Sequence, residues 1–475
     1  MPEKSKKIPL DSVMPLPDGK GVNKTYIDII MQEEIPVLCI NRSSKKERLM
    51  PFKVLYDNNE NFWQQSGTWK YFLSSEDFEK LKEKSVVKTG DWELERPKKA
   101  AAAAAEPKEP EAGAGYGSEI QKFADMSVED RANHLKLNKF NLDMLNSKTS
   151  DKKAVAEALV DSTKDAALIN HLIFEEALQV VDEEAKKITQ DIVDTTHEMV
   201  KSSVQLISEK FFNDDLMNTL VEKSNGTIVQ HMTRVFLNGV AFLSYFNNLV
   251  STSSAIQKLR ISFVEKYRKF YHSLLPGFAP DNIILERVFM GGMRAVPPDM
   301  LYKWSVGFLI HDIGKAADVE YHEGEASYNR EIVINHVKLG YKSIVSKTNY
   351  PTEAGLITGY HHEYYGDSSG YGYFRAYLQQ YKKQNPEAKQ EYCITYDIDP
   401  IVEYKALAYF PAKVLEIIDV YDSVTDPNRV YHKAMTPEEA LNMMRKEFIE
   451  NHHKLDAILF DIFVDFIHEK QKARK

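Results

Sequence analysis

Five polar intrusions into apolar segments recur along the second half of the chain. His231 sits in IVQHMTRVFLNGVAF, with Ile228, Met232, Val235 and Phe236 around it at helical spacing. HDIGK, residues 311–315, closes the apolar run MLYKWSVGFLI. His336 lies in EIVINHVKLGYKSI, the doublet His361-His362 opens GYHHEYYGDSSGYG at 359–372, and Asp419 lies in VLEIIDVYDSVTD. Burying an unpaired ionisable side chain costs several kcal/mol. Neutral imidazole and carboxylate satisfy a divalent cation and are satisfied by it. Singly, His231 or His336 in such a setting is more often a core residue than a ligand. The order His … His-Asp … His … His-His … Asp points to a metal centre.

Helices must position these residues, and residues 223–475 are helix-rich in pattern. Residues 118–222 are also helical, with Leu159, Ala166, Ile173 and Val180 every seven residues and Ile188, Ile192, Met199 and Ile207 continuing the stripe. That stripe predicts a connector layer packed on its neighbour, with pairing of two copies of the chain as the alternative. Residues 97–117, PKKAAAAAAEPKEPEAGAGYG, read as an Ala/Pro/Glu-rich linker. Residues 21–96 read as a small α+β accessory domain, with strands expected at YIDIIM, IPVLCI and FKVLYD and a Ser-capped helix at SSEDFEKLKEK. Residues 1–20 are expected to be an N-terminal tail without the apolar core of a signal peptide.

The chain has 475 residues, too many for one ordinary core, so two or three domains are expected. Its net charge of −9 invites neither DNA, RNA nor an anionic membrane. An anionic ligand would therefore need a local cationic site. The two cysteines, Cys39 and Cys393, form no CxxC, which argues against a disulfide scaffold or a thiolate zinc site. No apolar run reaches bilayer-spanning length, and the chain reads as cytoplasmic.

The order and contexts of these residues resemble the HD phosphohydrolase superfamily, and within it the HD-GYP branch of bacterial cyclic di-GMP phosphodiesterases. The matching positions are His231, HDIGK at 311–315, His336 with Gly340, HHE at 361–363, Gly370-Tyr371, and IIDVYDSVTDPNRVYHKAMTPEEAL from residue 417 on. They span about 225–445, roughly half the chain. The departures are specific. Gly372 stands where the family has proline, and Gly366-Asp367 inverts the usual Asp-Gly. The segment before His336 is short, and that between Tyr371 and Asp419 is long. Thr227 stands where some members place a glutamate for a third metal.

The resemblance implies a mainly α protein, with a C-terminal all-helical HD-type bundle (223–475), a helical connector and the small N-terminal α+β domain. It implies two divalent transition-metal ions, Fe or Mn above others. His231, His311, Asp312 and Asp419 would hold one, and His336, His361 and His362 the second, with Asp312 bridging. A metal-activated hydroxide would then open cyclic di-GMP to linear pGpG, with GMP from a further cut. Asp312 and Lys315 are the catalytic candidates. Lys315, Gly370, Tyr371 and Arg429 are the candidates for substrate binding: Lys315 and Arg429 for phosphate, Tyr371 for stacking on guanine. Glycines 366, 370 and 372 are expected to admit positive φ and a close ligand. Two rival functions stand beside hydrolysis: a cyclic di-GMP receptor that binds without turnover, and an HD phosphohydrolase acting on another nucleotide.

Overall fold

The computed structural model describes residues 7–10, 13, 26–27, 30–31, 35–41, 47–58, 69–75, 77–78, 80–81, 120–148, 151–210, 228–317, 330–365, 367, 369–387, 391–403, 406–426 and 434–473. Two compact units divide the chain, one built chiefly on residues 1–126 and the other on Ser127–Ala177, Asp182–Ala317 and His322–Lys475. The expected linker at 97–117 lies outside the described residues.

In the first unit, strands β1 (Lys7–Pro9), β2 (Pro36–Asn41), β3 (Glu47–Pro51) and β4 (Trp69–Ser74) form an antiparallel sheet of order β1-β4-β2-β3. Cys39 pairs with Tyr71, and Leu38 with Leu49. Of the expected strands, IPVLCI forms β2, but FKVLYD is helix α1 (Phe52–Asn58) and the described residues of YIDIIM are helical. The reason is spacing. Phe52, Leu55 and Tyr56 recur at three and four residues, as do Ile27, Ile30 and Met31, which suits a helix face and not a pleat. β1 falls in the stretch expected as a tail, and its pairing with β4 makes it part of the sheet. The Ser cap at SSEDFEKLKEK is present: Asp77 N–H donates to Ser74 Oγ at 3.0 Å.

The second unit is mainly α. Helices α2 (Val128–Lys148), α3 (Lys152–Ala177) and α4 (Asp182–Lys210) pack on one another, and α3 also packs on α5 (Ile228–Val250). The sequence set the connector at 118–222 apart from the bundle, yet α2, α3 and α4 belong to the same body as the helices that follow. Their seven-residue stripe is spent inside that body: Leu159, Ala166, Ile173, Ile192, Met199 and Ile207 are buried. Each of the leucine, isoleucine and methionine side chains among them contributes roughly 1.5–3 kcal/mol of transfer free energy. Pairing of two copies would have to use another face of these helices.

Helix α6 (Pro298–Ile310) begins at a proline whose fixed φ suits a first turn, with Asp299 favourable to the helix dipole. A 3₁₀ turn over Ile313–Ala317 follows, then α7 (Arg330–Lys347), α8 (Thr352–Tyr360) and α9 (Phe374–Gln384). α4 is pinned to the end of α7, where Thr189 Oγ1 donates to the Lys347 carbonyl at 3.1 Å. The C-terminal body is not wholly helical. β5 (Glu391–Thr395) pairs in parallel with β6 (Ala406–Tyr409), and β6 runs directly into α10 (Phe410–Thr425). Much of the long 373–410 segment is therefore core, with Tyr392, Cys393, Ile394 and Ala408 buried. α11 (Pro437–Met444) starts from a capping box between Thr436 and Glu439, and α12 (Ala457–Ala473) closes the unit.

Candidate metal centre

Five elements of the second unit deliver the seven expected ligands to one place. α5 carries His231, the end of α6 carries His311 and Asp312, α7 carries His336, the end of α8 carries His361 and His362, and α10 carries Asp419. None is more than 8% exposed. Three overlapping triads each have donor atoms within 4.8 Å of one another: His231, His311 and Asp419; His311, Asp312 and His361; His336, His361 and His362.

The two carboxylates span the group. Asp312 Oδ2 lies 3.4 Å from His231 Nε2 and 3.6 Å from His311 Nε2, while its Oδ1 lies 3.2 Å from His336 Nε2 and 3.9 Å from His361 Nε2. Asp419 Oδ1 lies 3.0 Å from His231 Nε2 and its Oδ2 lies 3.7 Å from His362 Nε2.

The outer nitrogens are held from behind, leaving each inner Nε2 toward the centre. His231 Nδ1 meets Asp422 Oδ2 at 2.7 Å, His311 Nδ1 meets the Phe308 carbonyl at 2.9 Å, and His361 Nδ1 meets the Thr358 carbonyl at 2.7 Å. His362 Nδ1 faces the Tyr364 hydroxyl at 3.3 Å. Such outer partners fix ring orientation and tautomer in metal-binding histidines. Asp422 is itself gripped by Arg234, through Nε at 2.7 Å and Nη2 at 2.9 Å, and Arg234 also reaches Asp426 at 2.6 Å.

The inner atoms fit a cation. His231 Nε2, His311 Nε2 and Asp312 Oδ1 are buried without an aligned hydrogen-bond partner, an arrangement that is costly unless something else satisfies them. Imidazole and carboxylate with no thiolate suit divalent transition metals. The buried His/Asp groups are thus able to hold metal ions.

Protonation follows position. Burial lowers His311, lowers His361 well below the ordinary range, and brings His362 down to about 3. Those imidazoles are neutral and keep a lone pair for coordination. Burial also works against charge on His231, but Asp312, Asp419 and Asp422 outweigh it and raise the ring to about 10. Burial alone would raise Asp312 and Asp419. Lys315 and His311 hold the first well below the usual carboxylate range, and His231 holds the second there.

Close backbone contact sets the position of Asp312. A Cβ on Gly314 would stand 1.9 Å from the His336 carbonyl and 2.7 Å from Gly340 N, so only glycine lets the HDIGK turn nest on α7. Helix α6 does not continue through Lys315. The chain instead tightens to 3₁₀, where residues three apart eclipse, and Lys315 Nζ sits 2.5 Å from Asp312 Oδ2.

The glycine loop after His362 differs from its expected role. Neither Gly370 nor Gly372 has positive φ. A Cβ on Gly370 would lie 1.9 Å from the Glu363 carbonyl, and one on Gly372 would lie 2.3 Å from Glu363 Cδ. These glycines make room for Glu363, a buried carboxyl that burial pushes up to about 8. Tyr371 packs on His362, with ring centroids 4.4 Å apart and planes tilted by 31°. Tyr371 and Gly372 both donate their backbone N–H to the His362 carbonyl. Gly366, Thr227 and Arg429 lie outside the described residues.

Four functional neighbours escaped the sequence reading. Asp422 follows Asp419 by three residues and Arg234 follows His231 by three, so the helical period was the signal available. Arg375 is the third: it donates to the carbonyls of Glu363, Tyr364 and Asp367 from the first turn of α9. Tyr364 is the fourth, and among the described residues it is the only non-glycine with positive φ, at 44°. Strain of that kind costs roughly 1–3 kcal/mol and no residue type in the loop announces it.

No family model matches the chain, nor does any curated protein. Among solved structures it is similar to Bd1817, an HDG"Y"P protein from Bdellovibrio bacteriovorus, with 12% identity over 98% of this chain and 100% of that chain and a TM-score of 0.41. At that TM-score the likeness is loose, and the chemistry rests on the residues of this chain alone.

Proposed function

We propose that the chain is a metal-dependent phosphodiesterase that hydrolyses cyclic di-GMP to linear pGpG, with GMP as the product of a further cut. The observation that supports it most is the convergence of seven buried side chains on one place, with His231 Nε2, His311 Nε2 and Asp312 Oδ1 among them lacking an aligned hydrogen-bond partner. On this reading His231, His311, Asp312 and Asp419 hold one ion and His336, His361 and His362 the other. The two oxygens of Asp312, turned toward different histidine pairs, suit a bridge. Bound divalent ions, Fe or Mn by preference, supply Lewis-acid polarisation of a phosphoryl oxygen and acidify water toward neutral pH.

The chain's own residues do the rest. The outer partners Asp422, Phe308 and Thr358 keep the imidazoles oriented, and the buried setting strengthens every charge in the site. Lys315 Nζ, which sits on Asp312, would bind a phosphoryl oxygen and offset charge that builds there. Tyr371 lies beside the centre and offers an aromatic surface for a base. Arg429 remains the proposed phosphate contact by resemblance. The setting is a bacterial second-messenger pathway in the cytoplasm; no described helix is long and apolar enough to cross a membrane.

The test is metal analysis of purified protein with a chromatographic assay of cyclic di-GMP, Fe and Mn being supplied anaerobically. About two ions per chain and release of pGpG are expected. Metal without turnover of any cyclic dinucleotide would instead indicate a receptor. Faster turnover of a different nucleotide would move the substrate and keep the chemistry.

A further inference from the structure

The four histidines with a known outer partner are not held alike. Asp422 and the carbonyls of Phe308 and Thr358 can only accept, so each fixes an Nδ1–H on its ring. The partner of His362 is the hydroxyl of Tyr364, which is able to donate or accept and therefore fixes no tautomer by itself. Tyr364 reaches His362 from only two residues away. Its left-handed backbone turns the chain back, and Arg375 Nη2 holds its carbonyl at 2.9 Å. Its ring meets Tyr371 edge-on at 6.3 Å and Phe448 at 6.5 Å, so the phenol is walled in where it stands.

We propose that Tyr364 is the positioning residue of His362, held in place by Arg375, and that this neutral support makes the ion bound by His336, His361 and His362 the more readily exchanged of the two. The inference rests on the metal-centre reading above. It concerns occupancy of one half of the centre, and it predicts no change in the half containing His231.

The experiment is Mn(II) titration of metal-free protein, with bound metal measured after dialysis against graded chelator, for the native chain, Tyr364→Phe and Arg375→Gln. The native chain is expected to release its two ions in two steps. Tyr364→Phe keeps the ring and removes the hydroxyl. It should weaken the first-released ion by about tenfold or more, the usual size of an outer-partner effect, and leave the second unchanged. The melting temperature of metal-free Tyr364→Phe should match the native value, which a merely structural role would not allow. Arg375→Gln should act in the same direction on the same ion. Unaltered affinity for both ions, or equal weakening of both, overturns the proposal while leaving the metal centre standing. A native chain that takes up no Mn(II) instead removes the centre itself.

Discussion

The two ends of the centre use one residue type, histidine, under opposite support. Behind His231 stands a charged chain of Asp422, Arg234 and Asp426, all buried. Behind His361 and His362 stand a carbonyl, a phenol and an aromatic ring. Hydrogen bonds with an ionised partner are roughly twice as strong as neutral ones. The protonation preferences diverge accordingly, to about 10 for His231 and about 3 for His362, because one ring faces three carboxylates while burial and His336 act against charge on the other. His231 is thus braced by charge and His362 by shape, which makes the first the stiffer anchor.

The strongest way to break that contrast is to remove what the two ends share. Asp312→Ala takes away oxygens that face both, so loss of both ions and of phosphodiester hydrolysis is expected, checked by metal analysis and turnover. If one ion stayed, Asp312 would belong to a single end. Next in size is Asp422→Ala. It deprives His231 of its acceptor and Arg234 of two hydrogen bonds, although Asp426 keeps one. About 3 kcal/mol of stability and roughly 10- to 100-fold in affinity for one ion should be lost, read by denaturant unfolding and chelator competition. An effect confined to the His336 end would reverse the comparison.

How much of this could be read from the residues alone depends on their kind. Ligands were legible because His and Asp are conspicuous inside apolar helices, as at His231 and Asp419. Their supports were not. Asp422 and Arg234 look like ordinary helix polar residues until the period places them behind a ligand. The loop was misjudged for a related reason. Gly370 and Gly372 carry no sign of what fills the space beside them, and Glu363 fills it. In the first unit, FKVLYD has strand-forming residues but helical spacing, and spacing prevailed once Phe52 and Leu55 had a core to meet. The 3₁₀ turn at Ile313–Ala317 depends on contact with α7 across tens of residues, which no local pattern encodes.

A smaller effect separates the ends by pH in metal-free protein. Histidine in an unfolded chain titrates near 6.5, and His362 in the fold near 3. As pH falls below 6.5, the unfolded chain takes up a proton that folded His362 refuses, so stability drops down to about pH 3. His231 runs the other way. Its stabilisation is complete below about 6.5 and disappears as pH rises toward 10. Denaturant unfolding across pH should therefore show a shallower acid limb for His362→Asn and a shallower alkaline limb for His231→Asn. Identical limbs in the two variants would erase the electrostatic contrast.

The smallest effect is expected at Gly372, set against Gly314, a glycine as closely surrounded but by different neighbours. Gly372 presses on Glu363 Cδ, a side-chain atom that is able to shift, so Gly372→Ala should cost about 1–3 kcal/mol, a few degrees in melting temperature. Both ions should remain bound, because no expected ligand is displaced. Gly314 presses on the backbone of His336, which cannot yield without moving Asp312 away from α7. Gly314→Ala should therefore lose metal as well as stability. Equal metal retention in the two variants would mean that the nesting of the HDIGK turn on α7 does not set the position of Asp312.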